Sequence, residues 1–204
     1  MKANLAIDFS PLKRYPDFRR LWLSGLISYF GSMFTYVALP FQVKELTGSY
    51  LAVGLIGLVE IIPLVIFGLY GGVLADHMDR KRMIWMTEFA ALFLSTILLI
   101  NSLLPSPKLA VIYIVAALFS AVDGLQRPSA DAILPRLVEH KDLPAASALM
   151  SLRWQVGMVT GPALAGVLIS IAGVSAGFIL DILTYLLALF ILLKVKSVPP
   201  MKES

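Results

Sequence analysis

Apolar and polar residues alternate along this chain in long blocks. Leu21 to Val43 holds 23 residues without a charge, and Leu51 to Ala75 is interrupted only by Glu60. About 20 consecutive apolar residues, wound as a helix, cross the roughly 30 Å of hydrocarbon in a bilayer. The pattern therefore predicts two transmembrane helices in the first third of the chain.

Four more blocks follow, and each carries one charged residue. They are Met83 to Leu104 with Glu88, Leu109 to Leu125 with Asp123, Ala145 to Gly173 with Arg153, and Val174 to Leu193 with Asp181. Gly173 and Val174 mark a tight turn between the last two. The sequence thus predicts an all-α membrane protein with six spans, grouped as three plus three.

Composition excludes several classes of protein. With 58% hydrophobic and 15% charged residues, the chain does not fit a soluble domain. It has no cysteine, which removes disulfides, thiolate metal sites and thiol nucleophiles. The net charge of +4 does not indicate a nucleic-acid partner, because the basic residues flank the apolar blocks and form no continuous stripe.

The basic residues predict the orientation in the membrane. Fourteen of the 17 Lys and Arg residues lie at the amino terminus, in the loops after the second and fourth spans, and in the carboxyl-terminal tail. The other side has only Lys44 and Lys108. Because loops rich in Lys and Arg stay in the cytoplasm, we expect a multi-pass protein of the cell (inner) membrane with both termini inside.

Three regions are predicted along the chain. Residues 1–20 form an amphipathic cytoplasmic segment, in which Asp8 to Arg20, with Pro11 and Pro16 at helix starts, is expected to lie as a helix on the membrane surface. Residues 21–193 form the six-helix bundle, and residues 194–204 a cytoplasmic tail or the start of a central linker. Inside the bundle, Arg127 to Pro144 is interpreted as a cytoplasmic linker, because three prolines divide it.

The loop between the second and third spans carries the most specific motif. It reads G-G-V-L-A-D-H-M-D-R-K-R and resembles the cytoplasmic signature of the major facilitator superfamily, G-x-L-x-D-R-x-G-R-K/R. The matching residues are Gly72, Leu74, Asp76, Arg80 and Lys81. The resemblance implies a gating motif, in which Asp76 beside the two basic residues forms a latch and Gly72 packs closely against a helix.

Two positions depart from that signature. His77 stands where Arg is usual, and Asp79 stands where Gly is usual. Since Asp79 directly precedes the third span, we expect its carboxylate to accept hydrogen bonds from the first amides of that helix.

A second motif lies in the fifth span, where Gly157 to Gly166 read G-M-V-T-G-P-A-L-A-G. This resembles the G-x-x-x-G-P-x-x-G-G motif of proton-coupled antiporters in the same superfamily. Gly157 and Gly161 share one helix face and permit close packing, while Pro162 removes a backbone donor, so a kinked and tightly packed helix is predicted. The resemblance implies exchange or export over simple uptake.

Shorter strings extend the resemblance over nearly the whole chain. They start at Pro11, Leu39, Asp123 and Pro135, and they resemble the enterobactin exporter branch of the superfamily. Members have two six-helix halves, so the resemblance implies that this chain corresponds to the amino-terminal half.

Charged residues inside the spans are candidates for proton or substrate binding, because each costs about 2.5–3.5 kcal/mol to insert. Glu60 lies near the midplane and Asp181 in the outer half of the last span. Arg153 and Asp123 lie at similar depths and are expected to form an ion pair. Glu88 is expected to extend toward the basic loop.

The sequence therefore predicts half of a secondary transporter that exports a bulky apolar or amphipathic small molecule, such as a drug or siderophore, in exchange for protons. A missing second half or a dimer mate would complete it. The alternatives are a half-transporter that works only as a dimer and a membrane interaction protein without transport. No enzyme is expected, since neither a G-x-x-x-x-G-K loop nor H-E-x-x-H occurs. We expect no cofactor and no metal site.

Overall fold

Helices make up almost all of the described chain. The structure, a computed structural model, describes residues 8–199 apart from the side chain of Ala75. The helices are α1 (Ser10–Arg14), α2 (Pro16–Thr47), α3 (Tyr50–His77), α4 (Arg80–Ser102), α5 (Leu109–Leu137), α6 (Leu143–Ala172) and α7 (Val174–Leu193). Six of these described helices, α2 to α7, are long and apolar enough to cross a membrane, as predicted.

The packing of the six long helices repeats after three. The first helix of each group packs on the last helix of the other group, in the pairs α2–α7 and α5–α4. The second helix of each group packs on the first helix of the other group, in the pairs α3–α5 and α6–α2. The remaining large contact, between α4 and α7, joins the last helix of each group to its counterpart. Exchanging the first three spans for the last three therefore maps each of these large contacts onto another of them, in agreement with the predicted three-plus-three bundle.

The amino-terminal segment differs from the predicted surface helix. Pro16 begins α2, as proline favours the first turn of a helix, so the first span starts inside the segment expected to lie on the membrane. The short α1 packs against the bundle, where Pro11 is buried. Tyr15 and Arg14 both donate to Asp142, over distances of 2.7 Å. This segment is thus attached to the start of α6.

Helix α5 continues beyond the predicted end of the fourth span. The expected linker from Arg127 to Pro144 is wrong for most of its length, because α5 runs unbroken through Pro128 and Pro135 to Leu137. A proline inside a helix costs about 3 kcal/mol. Burial of the two large side chains of Ile133 and Leu134 offsets this cost.

Most basic residues of the bundle lie at one of its ends, which we call the basic end. Here the tail after α7 folds back, and Val195 and Val198 are buried against Leu21 and Ile84. At the opposite end, α6 and α7 meet at Gly173, whose φ of +78° suits glycine and produces the predicted tight turn.

Candidate functional site

Asp181 lies at the centre of the packed helices and has no exposed surface. Its Oδ2 accepts hydrogen bonds from Thr35 of α2, at 2.5 Å, and from Ser95 of α4, at 2.6 Å. Its Oδ1 is buried and has no hydrogen-bond partner among the described residues. One oxygen is therefore held by two hydroxyl groups, and the other is available to carry a proton.

Glu88 is arranged in the same way, which the sequence did not reveal. Instead of extending toward the basic loop, it is 5% exposed and points into the bundle. Its Oε1 accepts from Ser28 of α2 and from Gln126 of α5, both at 3.0 Å. Its Oε2 is buried and finds no partner in the part of the chain that the structure describes. The expectation for Glu88 was wrong.

Both carboxylates link α2 to α4, because Glu88 of α4 accepts from α2 and Asp181 of α7 accepts from both helices. Ser28 and Thr35 are seven residues apart on α2, and Glu88 and Ser95 are seven apart on α4. Seven residues are two helical turns, or about 10.5 Å, and they return to the same face. This repeat, serine or threonine on one helix opposite a polar residue on the other, is the signal from which both sites can be recognised.

Arg153 is buried on α6, and its guanidinium lies against Gly25 of α2. The expected ion pair between Arg153 and Asp123 does not form in the described structure. Asp123 binds Arg127 on its own helix instead, over 2.6 Å. The reason is geometric, since residues i and i+4 face each other on a helix and need no second helix to meet. Arg153 interacts electrostatically with Glu88.

Glu60 is half-buried on α3, on the stripe that faces α5. Ile56 is buried one turn before it, and Leu64 approaches Gly124 of α5 one turn after it. Within residues 8–199, no hydrogen bond or ion pair of its carboxylate is found. Glu60 thus lies at the edge of a helix interface, away from the two buried carboxylates.

Aromatic and guanidinium groups meet on a partly exposed face of α2, α5 and α6. The rings of Tyr29 and Trp154 lie 4.3 Å apart between centroids, tilted by 49°. The guanidinium of Arg127 lies 5.9 Å from the Trp154 ring, within range of a cation–π interaction. We call these three residues the aromatic–arginine cluster. It offers flat apolar surface beside a fixed positive charge.

The loop at the basic end is organised by Asp79. As predicted, its side chain caps α4 by accepting from the Arg82 amide, at 2.9 Å. It also accepts from the Ser197 hydroxyl of the tail. Partial burial favours the neutral form, but these bonds and further backbone amides outweigh it and hold the pKa of Asp79 below its usual value. The backbone amide of Arg80 donates to the Val198 carbonyl, at 3.1 Å.

Of the other residues of the gating motif, Arg80 is buried, whereas Leu74 and Asp76 are exposed. The described residues show no ion pair between Asp76 and Arg80 or Lys81, so the contact expected for the latch is not formed among them. Lys81 donates to the Leu193 carbonyl at 3.4 Å, and Leu74 is 36% exposed.

The glycine in close contact with a neighbouring helix at this motif is Gly71. A Cβ built on Gly71 would lie 2.9 Å from the carbonyl oxygen of Gly124. The expectation for Gly72 was wrong, because a Cβ there would meet no described atom within 4 Å. The two positions differ by 100° around the helix, and only one of them faces α5.

The fifth-span motif holds α6 against α2. Gly157 faces the Tyr29 ring and Gly161 faces Met33, each so closely that a Cβ would clash at 2.4 to 2.6 Å. Gly166 has open space around it in the described structure. Pro162 is half-buried and leaves α6 unbroken from Leu143 to Ala172. The close packing expected of the first two glycines is thus confirmed.

Comparison with known proteins identifies the family. A family model for transmembrane secretion effectors, within the major facilitator superfamily, matches residues 6–203. The chain belongs to this family. It is 30% identical over 199 residues to the enterobactin exporter EntS of Shigella dysenteriae serotype 1 and 31% identical to that of Citrobacter koseri. The enterobactin exporter EntS of Escherichia coli O1:K1 is also 30% identical.

These matches cover 98% of the chain and 48% of each relative. The chain therefore spans about half the length of the curated relatives that it matches, and its resemblance to the exporter branch is confirmed.

Proposed function

We propose that this chain is the amino-terminal half of a secondary exporter, which moves an amphipathic small molecule of the siderophore type out of the cell in exchange for protons. The family and the exporter relatives support the export of a small molecule. Their doubled length supports a second six-helix half, against which this bundle moves in alternating access.

The observation that supports proton coupling is the complete burial of Asp181, with hydrogen bonds from two helices to one of its oxygens. A buried charge without a cation partner is costly, whereas a protonated carboxyl is neutral and can remain in the bundle. Thr35 and Ser95 fix one oxygen and leave the other free for the proton. Since the two donors belong to different helices, a movement of α2 against α4 changes the hydrogen bonds of Asp181 and with them its hold on the proton.

The aromatic–arginine cluster supports an amphipathic cargo. Aromatic rings bind flat apolar groups, and a guanidinium binds carboxylates, phenolates and other anionic oxygens. Tyr29, Trp154 and Arg127 come from three helices, so a molecule bound here would contact parts of the bundle that move when the transporter opens. Asp123 holds Arg127 in place and Arg153 adds a second positive charge nearby.

Glu60 remains a further candidate for proton or substrate binding. It is a half-buried carboxyl near the middle of α3, and helix α3 has most of its surface uncovered in the described bundle. In the complete transporter this helix would face either lipid or the second half. A role for Glu60 thus depends on the second half, in contrast to that of Asp181.

The test uses the full-length protein that contains this chain, reconstituted in proteoliposomes with an imposed pH gradient. A catecholate siderophore and a lipophilic cation serve as cargo probes. Asp181→Asn keeps the size and the acceptor oxygen of the side chain but cannot release a proton. We expect it to abolish uphill transport of the siderophore and to leave downhill exchange. Glu45→Gln, at an exposed carboxylate, is the matched control.

Two results would contradict the proposal. Full uphill transport by Asp181→Asn would remove the proton role of this residue. The absence of gradient-linked flux with either cargo in the wild-type protein would favour an interaction protein without transport. Glu60→Gln, measured alongside, shows whether coupling also involves α3.

A further inference from the structure

The mechanism proposed above uses one buried carboxyl, but the bundle contains two of the same design. In both Asp181 and Glu88, one oxygen accepts from two side chains while the other is buried without a described partner. Burying a carboxylate between helices costs free energy, and a neutral amide or hydroxyl would make the same contacts without a buried charge. The repeated design therefore needs a reason beyond packing.

The positions of the two carboxyls give that reason. Asp181 is seven residues from the start of α7 at the opposite end, or about 10.5 Å along the helix axis. Glu88 is eight residues from the start of α4 at the basic end, or about 12 Å. One carboxyl thus lies in each half of the membrane thickness, and both link α2 to α4 through hydrogen bonds.

The charged and titratable groups around the two carboxyls differ. Glu88 interacts electrostatically with Arg153 of α6, whereas Asp181 has no described cation partner. Tyr185 lies on α7, one turn from Asp181 toward the basic end, and interacts electrostatically with Asp181, Glu88 and, more weakly, Asp123 of α5. Helix α2 contributes only hydroxyl groups to the two carboxyls, from Ser28 and Thr35.

We propose that Glu88 is a second proton-binding site, which exchanges one proton with Asp181 through the interior of the bundle. This inference rests on the proposed function. The proton leaves Asp181 Oδ1, and the O–H bond formed at the other site is on Glu88 Oε2. Asp181 becomes a carboxylate and Glu88 a neutral acid, so that the pair carries one negative charge before and after the step.

Two features of the structure support this exchange. Both carboxyls are buried about two helical turns apart in one apolar interior, where two like charges oppose joint ionisation, so we expect the pair to retain one proton. The gap of about two turns is too long for direct transfer. Tyr185 is buried on α7, one turn from Asp181 toward the basic end, and in this inference its hydroxyl, which can accept one proton and give up another, relays the proton across part of the gap.

The test compares Glu88→Gln with Asp181→Asn in the full-length protein. Glutamine keeps an oxygen that can accept from Ser28 and Gln126, so a packing role survives the change while proton binding does not. We expect Glu88→Gln to lose uphill transport and keep downhill exchange, and Glu88→Asp, which still titrates, to recover part of the coupling. Glu45→Gln is again the control.

A second measurement does not depend on transport. Infrared difference spectra recorded during a pH titration should show two buried carboxyl groups that gain and lose protons. Asp181→Asn should remove one signal and Glu88→Gln the other, and each change should move the titration midpoint of the carboxyl that remains.

The outcomes separate this inference from the proposed function. If the wild type is proton-coupled and Glu88→Gln is fully coupled too, the second site is wrong and the exporter stands. If downhill exchange is lost in both Glu88→Gln and Glu88→Asp, Glu88 serves packing alone and the inference is overturned. If the wild type shows no proton-linked flux, the proposed function fails. Independently of transport, an infrared titration that shows only one buried carboxyl group gaining and losing a proton would overturn the second site.

Discussion

Gly124 shows how closely α3 and α5 approach at the scale of a single residue. A Cβ on Gly124 would lie 2.9 Å from the Leu64 carbonyl oxygen and 2.9 Å from the Gly68 amide nitrogen. Both are backbone atoms of α3, which cannot move aside as the end of a flexible side chain can. We therefore expect Gly124→Ala to destabilise the bundle by about 1–3 kcal/mol, the usual cost of overpacking.

The matched control is Gly54→Ala, because Gly54 also lies in a helix of this pair but a Cβ there would meet no described atom within 4 Å. Alanine favours a helix over glycine by about 1 kcal/mol, so this variant should be at least as stable as the wild type. Thermal unfolding of both proteins in the same detergent measures the difference. Equal unfolding temperatures would show that α3 moves away without cost.

The buried carboxyls show what the sequence can and cannot reveal about single residues. Hydropathy identifies every charge inside a span, and Asp181 is one of them. It does not give the partner helix, and the depth of Glu88 along α4 fits both a snorkelling and an inward side chain. Arg153 was misassigned for a related reason, since similar depth on two helices does not place two side chains on facing sides.

At the scale of a helix, the start of α4 depends on Asp79. Replacing an N-cap aspartate with alanine costs about 0.5–2 kcal/mol. We expect Asp79→Ala to lower the stability of the protein by this amount at pH 7, and to release the tail as well, because the Ser197 hydroxyl loses its acceptor. Asn caps helices nearly as well, so Asp79→Asn should be the milder change. Equal stability of Asp79→Ala and the wild type would contradict this role.

The lowered pKa of Asp79 also predicts that its contribution to the stability of the protein is lost in acid. Its pKa is lower in the folded protein than in the unfolded chain, since hydrogen bonds from Ser197 and backbone amides outweigh its partial burial. The contribution is therefore complete above about pH 4 and is lost as the pH falls through the folded pKa. The difference in unfolding temperature between the wild type and Asp79→Asn should shrink between pH 6 and pH 3 (about the range of carboxyl titration). A difference in unfolding temperature that grows on acidification would contradict this pH dependence.

Helix α5 explains why the boundaries of the helices were harder to predict than their number. Each span is long and apolar enough to be recognised from local sequence alone. Pro128 and Pro135 signal a break by the same local rules, yet the bundle buries Ile133 and Leu134 on the far side of the first proline. Tertiary packing decided the outcome, and it depends on residues of other helices that a local pattern does not contain.

The whole molecule combines this repeated packing with a strong asymmetry of charge. The bundle repeats after three helices, so its contacts alone do not distinguish the two sides of the membrane. The charges do distinguish them, because the basic end carries the loops after α3 and α5 and the tail, while the opposite end holds Lys44 and Lys108. In the exporter that we propose, this asymmetry places Asp181 in the outer half of the membrane and Glu88 in the inner half.

That orientation predicts which loops react from each side of the membrane. The chain has no cysteine, so single cysteines can be introduced directly, with any cysteine elsewhere in the full-length protein replaced by serine. Ser106 and Glu139 are both exposed, the first between α4 and α5 and the second between α5 and α6. With a membrane-impermeant maleimide, Ser106→Cys should react in intact spheroplasts and Glu139→Cys only after lysis. Labelling of Glu139→Cys in intact spheroplasts would show that the orientation is the opposite of the one predicted. Protons driven inward would then reach Glu88 before Asp181.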